Sequence, residues 1–204
     1  MRIVGGRHRG RPLRAPQGRD LRPTSDRARE AIFNILAHGM EDFQLDGASV
    51  VDVFAGTGAL GLEALSRGAA HATFIDDDGR AMRAVRGNAA ALGERGAVTL
   101  LTLDAARLPP PPLAAHAPCG LAFLDPPYGA GLAAPALEGL AARGWIAPGA
   151  VCVVELAARE PFAPPATFTA VDERTYGPAR VVFLRWSPED KAPPRRQGER
   201  DTGE

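Results

Sequence analysis

The sequence has 204 residues, of which 45% are hydrophobic, and its formal net charge is zero with a pI of about 6.9. A chain of this size and composition can bury the core of one domain, which excludes an intrinsically disordered protein. Cys119 and Cys152 are too few and too isolated for a disulfide framework or a zinc site, so we expect no metal. No apolar run reaches about 18 residues and no signal-peptide pattern follows Met1, so a cytoplasmic location without membrane contact is expected.

The N-terminal third of the chain begins with a local excess of arginine. Among its first 30 residues the only acids are Asp20, Asp26 and Glu30, while Lys191 is the single lysine of the whole sequence. Lysine is rare throughout the sequence, so the preference for arginine is partly a matter of overall composition. The concentration of arginine in the first 30 residues is a local feature. The balanced total charge argues against a protein that binds nucleic acid over its whole surface.

The first elements in chain order are an arm and a helix. Residues 2–22 form short extended segments interrupted by glycine and proline, which predicts a small hairpin or arm. Thr24 or Ser25 can cap the helix predicted for DRAREAIFNILAHG, whose apolar residues recur at helical spacing up to Gly39. We expect an arm at residues 1–22, one domain at 23–186 and a disordered tail at 187–204.

The rest of the chain alternates strands with helices. Strands are predicted for SVVDVF, HATFID, AVTLLTLD, GLAFLD and AVCVVEL, and helices for ALGLEALSRG, GRAMRAVRGNAAALG and APALEGLAARGWI. This alternation predicts parallel pairing through right-handed crossovers, hence a doubly wound α/β sheet. The closing segment FTAVDERTYGPARVVFLRW predicts a hairpin too tight for a crossover, so one edge of the sheet should be antiparallel.

A glycine turn follows the first of these strands. Gly56, Gly58 and Gly61 match G-x-G-x-x-G and open the next helix, and Asp76 ends the second strand about twenty residues further on. Ligands of open α/β sheets bind at the carboxyl ends of strands, where glycine lets the backbone approach them. The pattern predicts a cofactor that contains adenosine, although the glycines are also compatible with a structural turn and Asp76 with a helix cap.

Two further features favour S-adenosylmethionine over NAD. Asp52, two residues before Phe54 in the first strand, suits a ligand with an ammonium group and is unfavourable beside a pyrophosphate. The other is an aspartate motif after the fourth strand. Asp104, predicted to close the third strand, is a candidate acceptor for the adenine amino group or an ordinary turn residue. The predicted cofactor-binding residues are Asp52, Phe54, Gly56, Gly58, Asp76 and Asp104.

The aspartate motif is Asp125, Pro126, Pro127 and Tyr128. An exocyclic base amine is a poor nucleophile because its lone pair is delocalised into the ring, so methyl transfer to it requires groups that accept its hydrogens. Asp125 and the Pro126 carbonyl are such acceptors, and prolines fix the backbone between them. Tyr128 offers a face on which an unstacked base can lie. An acceptor-only carboxylate modestly favours guanine, which presents two neighbouring donors, over adenine.

These blocks together resemble the RsmD-type bacterial 16S rRNA guanine-N2 methyltransferases. The likeness covers roughly residues 1–186 and rests on RIVGGRHRGRPL, LRPTSDRAREAIFNIL, DVFAGTGALGLEALSRGA and FLDPPYGAGL in that order. The resemblance implies a Rossmann-like fold with a seven-stranded sheet and a small N-terminal hairpin, S-adenosylmethionine as methyl donor, and Asp125 to Tyr128 as the base-amine site. The second strand ends in IDDD where the family has Glu, so Asp77 is an alternative to Asp76 for the ribose.

The resemblance also implies a partner, the 16S rRNA of the small ribosomal subunit or of its assembly intermediate. We expect the protein to be a monomer. The predicted RNA-binding residues are Arg7, Arg9, Arg11, Arg22, Thr24 and Arg27. Three alternatives stay open at this point: an adenine-N6 DNA or RNA methyltransferase, an NAD-linked Rossmann oxidoreductase, and a non-catalytic RNA-binding protein with a degenerate methyltransferase fold.

Overall fold

The computed structural model of the chain describes residues 1–16, 25–40 and 42–188. Its strands run as β1 (Ser49–Val53), β2 (His71–Asp76), β3 (Val98–Thr102), β4 (Cys119–Leu124), β5 (Ile146–Ala157), β6 (Phe168–Tyr176) and β7 (Ala179–Trp186). They form one seven-stranded sheet in the order β3-β2-β1-β4-β5-β7-β6. The predicted α/β sheet is therefore confirmed.

The pairing reverses only at the closing hairpin. Strands β1 to β5 pair in parallel, whereas β7 is antiparallel to both β5 and β6. Because β7 lies between β5 and β6, β6 is the edge strand on this side of the sheet. The carboxyl ends of β1, β2, β4 and β5 consequently share one edge of the sheet, where the predicted ligand site lies.

Helices cover both faces of the sheet. They are α1 (Asp26–His38), α2 (Ala59–Ser66), α3 (Gly79–Leu92) and α4 (Ala133–Ala142). Apolar side chains of α1, α2 and α3 pack in one core cluster on one face, and those of α4 pack in a second cluster on the other. As predicted, Ser25 caps α1, its side chain accepting a hydrogen bond from Ala28 N at 3.1 Å. Within the described ranges, no helix is both long and apolar enough to cross a membrane.

Several predicted boundaries of helices and strands differ from the structure. The helix predicted through Ile146 ends at Ala142, because Gly144 adopts a φ of +79° and turns the chain toward β5. Trp145 is instead fully buried in the second core cluster, and β5 begins at Ile146 rather than Ala150. The strand predicted through Asp104 ends at Thr102.

The N-terminal hairpin docks on the face of the sheet that α1, α2 and α3 cover. Its ladder includes hydrogen bonds from Ile3 N to Arg11 O at 2.9 Å and from Gly10 N to Ile3 O at 2.8 Å. Ile3 is fully buried in the first core cluster, and the buried Glu63 of α2 accepts hydrogen bonds from Val4 N and Gly5 N at 2.8 and 2.7 Å. The separation of an arm at 1–22 from a domain at 23–186 stays a prediction, and most of the predicted tail lies outside the described residues.

Gly61 allows α2 to approach the sheet closely. A Cβ at this position would lie 2.4 Å from Cε1 of the buried Phe74 and 3.2 Å from Oδ2 of Asp52. We expect Gly61→Ala to lower the free energy of unfolding by about 1–3 kcal/mol, because the core must move to accept the methyl group. Chemical denaturation would measure the change.

Gly87 provides the matched control for Gly61. It lies exposed inside α3, and a Cβ there would meet nothing within 4 Å. Gly87→Ala should therefore raise the free energy of unfolding by about 0.5–1 kcal/mol through helix propensity alone. Equal effects of the two substitutions would contradict the close packing of α2 on Phe74.

Candidate functional site

The glycine turn leads from β1 into α2 and contacts the end of β2. Gly56 and Gly58 adopt positive φ angles of 55° and 75°, a region that glycine occupies without steric cost. Gly56 N donates a hydrogen bond to Asp76 Oδ2 at 2.9 Å, and Asp78 N donates one to Asp76 Oδ1 at the same distance. The structure thus brings together the predicted glycines and Asp76, whereas Asp77 beside it is exposed.

Phe54 adopts a φ of +62°, which is uncommon for a residue with a Cβ. It is the residue that follows β1 and leads into the glycine turn, and its ring packs against the second core cluster. Such strained backbone often lies next to ligand sites, and here it directs the chain from the strand into the turn.

Asp52 lies inside β1 and is almost completely buried, with 2% of its surface exposed. Its Oδ2 accepts a hydrogen bond from Gly61 N at 2.9 Å. Burial raises the pKa of Asp52 to about 8, opposed by the Gly61 hydrogen bond and reinforced by the negative charge of Asp76. A buried carboxylic acid with this pKa is poised to ionise if a cation approaches it.

Asp104 makes only local contacts among those observed. Its side chain accepts a hydrogen bond from Ala106 N at 2.9 Å and so caps the 3-10 turn Ala105–Arg107, while Arg107 lies 3.9 Å away. This cap ends β3 two residues earlier than predicted. The contacts match the alternative of a turn residue, and a role toward adenine stays a prediction.

Asp125 directly follows β4, and its backbone N donates to Val53 O of the neighbouring strand at 3.4 Å. The pKa of Asp125 is raised, first by burial and then by the negative charges of Glu155 and Asp52. Of the two prolines after it, Pro126 is buried and Pro127 is exposed. The motif therefore holds a carboxyl group of increased proton affinity on a rigid backbone segment.

Three acids lie on the same face at this edge of the sheet. Asp52 is level with Phe123 of β4, and Phe123 with Val153 of β5. Phe123 and Val153 both belong to the first core cluster, and side chains two residues further along a strand face the same way. Asp125 and Glu155 consequently lie on this face beside Asp52, as their electrostatic coupling also indicates.

Glu155 lies beside the predicted base-amine motif and is a candidate site residue that we did not predict from the sequence. It is 5% exposed, and its Oε1 accepts a hydrogen bond from the Tyr128 hydroxyl at 3.0 Å. The signal was present in the sequence, because an acid at the end of the apolar run AVCVVEL repeats the pattern of GLAFLD. The contact holds the Tyr128 ring against the end of β5.

A cavity of about 460 Å³ opens beside Tyr128 and Glu155. It lies between the N-terminal end of α1 and the turn that joins β6 to β7. Its lining residues are Ser25, Arg27, Ala28, Tyr128, Glu155, Thr175, Tyr176, Gly177, Pro178 and Ala179. The cavity is large enough for a nucleobase and combines two aromatic rings with one cation and one acid.

The predicted RNA-binding arginines differ in their surroundings. Arg7 pairs with Glu94 at 2.6 Å, and Arg11 donates to Ala91 O at 2.6 Å, so both bind the C-terminal end of α3. Arg9 is exposed on the hairpin, and Arg27 is exposed where it lines the cavity. The remaining two predicted residues, Arg22 and Thr24, lie outside the described residues.

Comparison with known proteins places the chain in a family. The family model described as Conserved hypothetical protein 95 matches residues 1–185. Ribosomal RNA small subunit methyltransferase D of Escherichia coli K12 is 41% identical over 156 residues, which are 76% of this chain and 74% of that protein. The chain belongs to the RsmD family. The methyltransferase D of Haemophilus influenzae is 33% identical over 181 residues, covering 87% and 89% of the two chains.

Solved structures agree with membership of the RsmD family. Escherichia coli yhhF superposes with a TM-score of 0.75 at 34% identity, covering 93% of this chain and 99% of that one. An RNA methyltransferase of Salinibacter ruber, solved with S-adenosyl-L-homocysteine, shares the fold with a TM-score of 0.60 at 14% identity, over 82% and 95% of the chains. The resemblance inferred from the sequence is confirmed, and the protein is a methyltransferase of Rossmann-like fold.

Proposed function

We propose that this protein transfers a methyl group from S-adenosylmethionine to the exocyclic N2 amine of a guanine in the 16S rRNA of the small ribosomal subunit. The observation that carries the proposal is the position of Asp125 to Tyr128 at the end of β4, two strands from the Asp76 that holds the glycine turn. Its support is the 41% identity to a protein named as a small-subunit rRNA methyltransferase.

The donor set around the glycine turn fits S-adenosylmethionine. Asp76 is a carboxylate acceptor for ribose hydroxyls, and it is already fixed by Gly56 N and Asp78 N. The acid of Asp52 can balance the ammonium of the methionine part. A pyrophosphate near Asp52 would oppose its ionisation, whereas an ammonium favours it, so the position of Asp52 favours S-adenosylmethionine over NAD. When bound, S-adenosylmethionine supplies an electrophilic methyl group on a sulfonium.

Asp125 and Pro126 make the amine of the base a better nucleophile. The Asp125 carboxylate and the Pro126 carbonyl each accept one hydrogen of the amine, which orients the nitrogen lone pair toward the methyl donor. The N2–carbon bond forms as the sulfur–carbon bond breaks, and the nitrogen then loses one proton to Asp125 or water. The products are S-adenosylhomocysteine, N2-methylguanine and one proton.

RNA reaches this site past the arginines of the hairpin and of α1. Arg9 and Arg27 are exposed and can contact phosphate oxygens, while Tyr128 offers a stacking face to a base turned out of its helix. We assign Arg7 and Arg11 two roles. They contact RNA, and through their contacts at α3 they also fix the hairpin on the domain. This arginine surface is small. It suits an RNA that the ribosomal subunit already holds in a fixed shape, because few phosphate contacts are then needed.

Incubation with radiolabelled S-adenosylmethionine and small subunits that lack the modification tests the proposal. We expect label in one guanine of the 16S rRNA, identified by mass spectrometry of nuclease fragments as N2-methylguanine. Label only in duplex DNA would overturn the proposal in favour of an adenine-N6 DNA methyltransferase. No transfer to any nucleic acid, with RNA binding retained, would favour a non-catalytic RNA-binding protein.

A further inference from the structure

The motif Asp125 to Tyr128 favours guanine over adenine only modestly, since both bases carry an exocyclic amine. The two bases differ at the atom beside that amine. In guanine the N2 amine adjoins the N1–H donor, whereas in adenine the N6 amine adjoins N1 as an acceptor. A group that selects guanine must therefore accept a hydrogen bond next to Asp125.

Glu155 has the position and the chemistry of such a group. It follows Val154 on β5, and Val154 is paired with Leu124, the last residue of β4. Asp125, which comes directly after β4, therefore lies at the level of Glu155 in the neighbouring strand. Their side chains lie on the same face of the sheet, and the charge of Glu155 raises the pKa of Asp125. Glu155 also lines the cavity, so a base stacked on Tyr128 can reach it.

We propose that Glu155 accepts a hydrogen bond from N1–H of the target guanine and selects guanine over bases whose N1 is an acceptor. This inference rests on the proposed function and assigns the substrate choice of the same site. With N2 at Asp125, the adjacent N1–H points along the edge toward β5. The Tyr128 hydroxyl donates to Glu155 Oε1, and a carboxylate can accept several hydrogen bonds at once.

The cavity supplies the remaining contacts of a purine. Its volume of about 460 Å³ accommodates a base and part of its sugar. Tyr128 and Tyr176 provide aromatic faces on its wall, and Arg27 provides a cation for the phosphate that follows the sugar. A Glu155 carboxylate oxygen facing the N1 lone pair of an adenine-type base would repel it, so the same side chain both favours guanine and rejects the alternative.

The test compares guanine with 2,6-diaminopurine at the target position of reconstituted small subunits. Diaminopurine keeps the N2 amine but has an acceptor at N1. We expect the wild-type protein to prefer guanine in kcat/KM by roughly 10- to 100-fold, the size of one base-edge hydrogen-bond mismatch. In Glu155→Gln the side-chain amide can donate to N1 of diaminopurine, so the preference should fall by about tenfold or more.

Tyr128→Phe is the matched control, because it removes the hydroxyl that donates to Glu155 while retaining the ring. If Glu155 acts only by orienting Tyr128, Tyr128→Phe should lower kcat/KM on both bases alike, and Glu155→Gln, whose amide oxygen can still accept from the hydroxyl, should leave the preference for guanine unchanged. That result would overturn the inference while methylation of guanine by the wild type preserved the proposed function. Absence of guanine methylation by the wild type would instead overturn both. Comparing variants on both bases isolates the coupling between Glu155 and N1.

Discussion

Asp125→Ala is expected to reduce turnover of S-adenosylmethionine with small subunits by about 100- to 1000-fold and to leave the affinity for S-adenosylhomocysteine nearly unchanged. Asp125 follows β4, whereas the glycine turn follows β1 and Asp76 ends β2. The substitution therefore removes an acceptor for the substrate amine without altering the contacts proposed for the cofactor. Single-turnover kinetics and calorimetry measure the two effects separately.

One further variant and a pH profile identify what the Asp125 carboxyl contributes. Asp125→Asn keeps one acceptor oxygen and removes the charge, so it should retain more activity than the alanine variant. Because burial and Glu155 raise the pKa of Asp125, wild-type activity should fall on the acidic side at a higher pH than an ordinary aspartate would cause, and the asparagine variant should lack this limb.

Asp46→Ala is the control for these substitutions. Asp46 is exposed in the loop before β1, at the opposite edge of the sheet from Asp125. Turnover of this variant should match the wild type. If Asp125→Ala also turned over normally, the protein would be an RNA-binding member of the family whose motif serves only as a rigid strand exit.

The order of the elements was predictable from the sequence because each strand is a continuous apolar run and each helix has a periodic apolar face. The predicted element boundaries were wrong where the local sequence pattern and the tertiary packing disagree. Trp145 continues an apolar helical pattern, but Gly144 breaks the helix and lets the indole fill the second core cluster, where its Nε1 donates to Pro109 O at 2.7 Å. That partner lies 36 residues away in the chain, beyond the range of a periodicity argument.

The parts of the candidate site that are formed by sequence motifs were predictable. The parts that depend on the register between strands were not. The contact of Gly56 with Asp76 follows from two strand ends that meet at a parallel edge. The contact of Glu155 with Tyr128 depends on the pairing of β4 with β5, which the sequence does not reveal. Similarly, the arginine count of the hairpin could not show that Arg7 would find its partner in Glu94, after α3.

The second large effect concerns Asp52 and cofactor binding. Because burial raises the pKa of Asp52 from an ordinary 3.8 to about 8, the acid is mostly protonated near neutral pH when no ligand is bound. An ammonium beside it favours the ionised form, so the proton should leave as the cofactor binds. We expect S-adenosylhomocysteine to release about one more proton from the wild type than from Asp52→Asn, and to bind the variant about 10- to 100-fold more weakly.

Calorimetry in two buffers of different ionisation enthalpy measures this proton release, with Asp46→Asn as a control that should behave as the wild type. The raised pKa of Asp52 also determines how the stability of the protein depends on pH. The folded protein holds the Asp52 proton more tightly than the unfolded chain, so the contribution of Asp52 to the free energy of unfolding decreases as the pH rises from 3.8 to about 8. Asp52→Asn should flatten that decrease because an amide does not titrate in this range, and its oxygen can still accept the hydrogen bond from Gly61 N. A flattened stability profile without any change in proton release would make Asp52 a purely structural acid that holds α2 on the sheet.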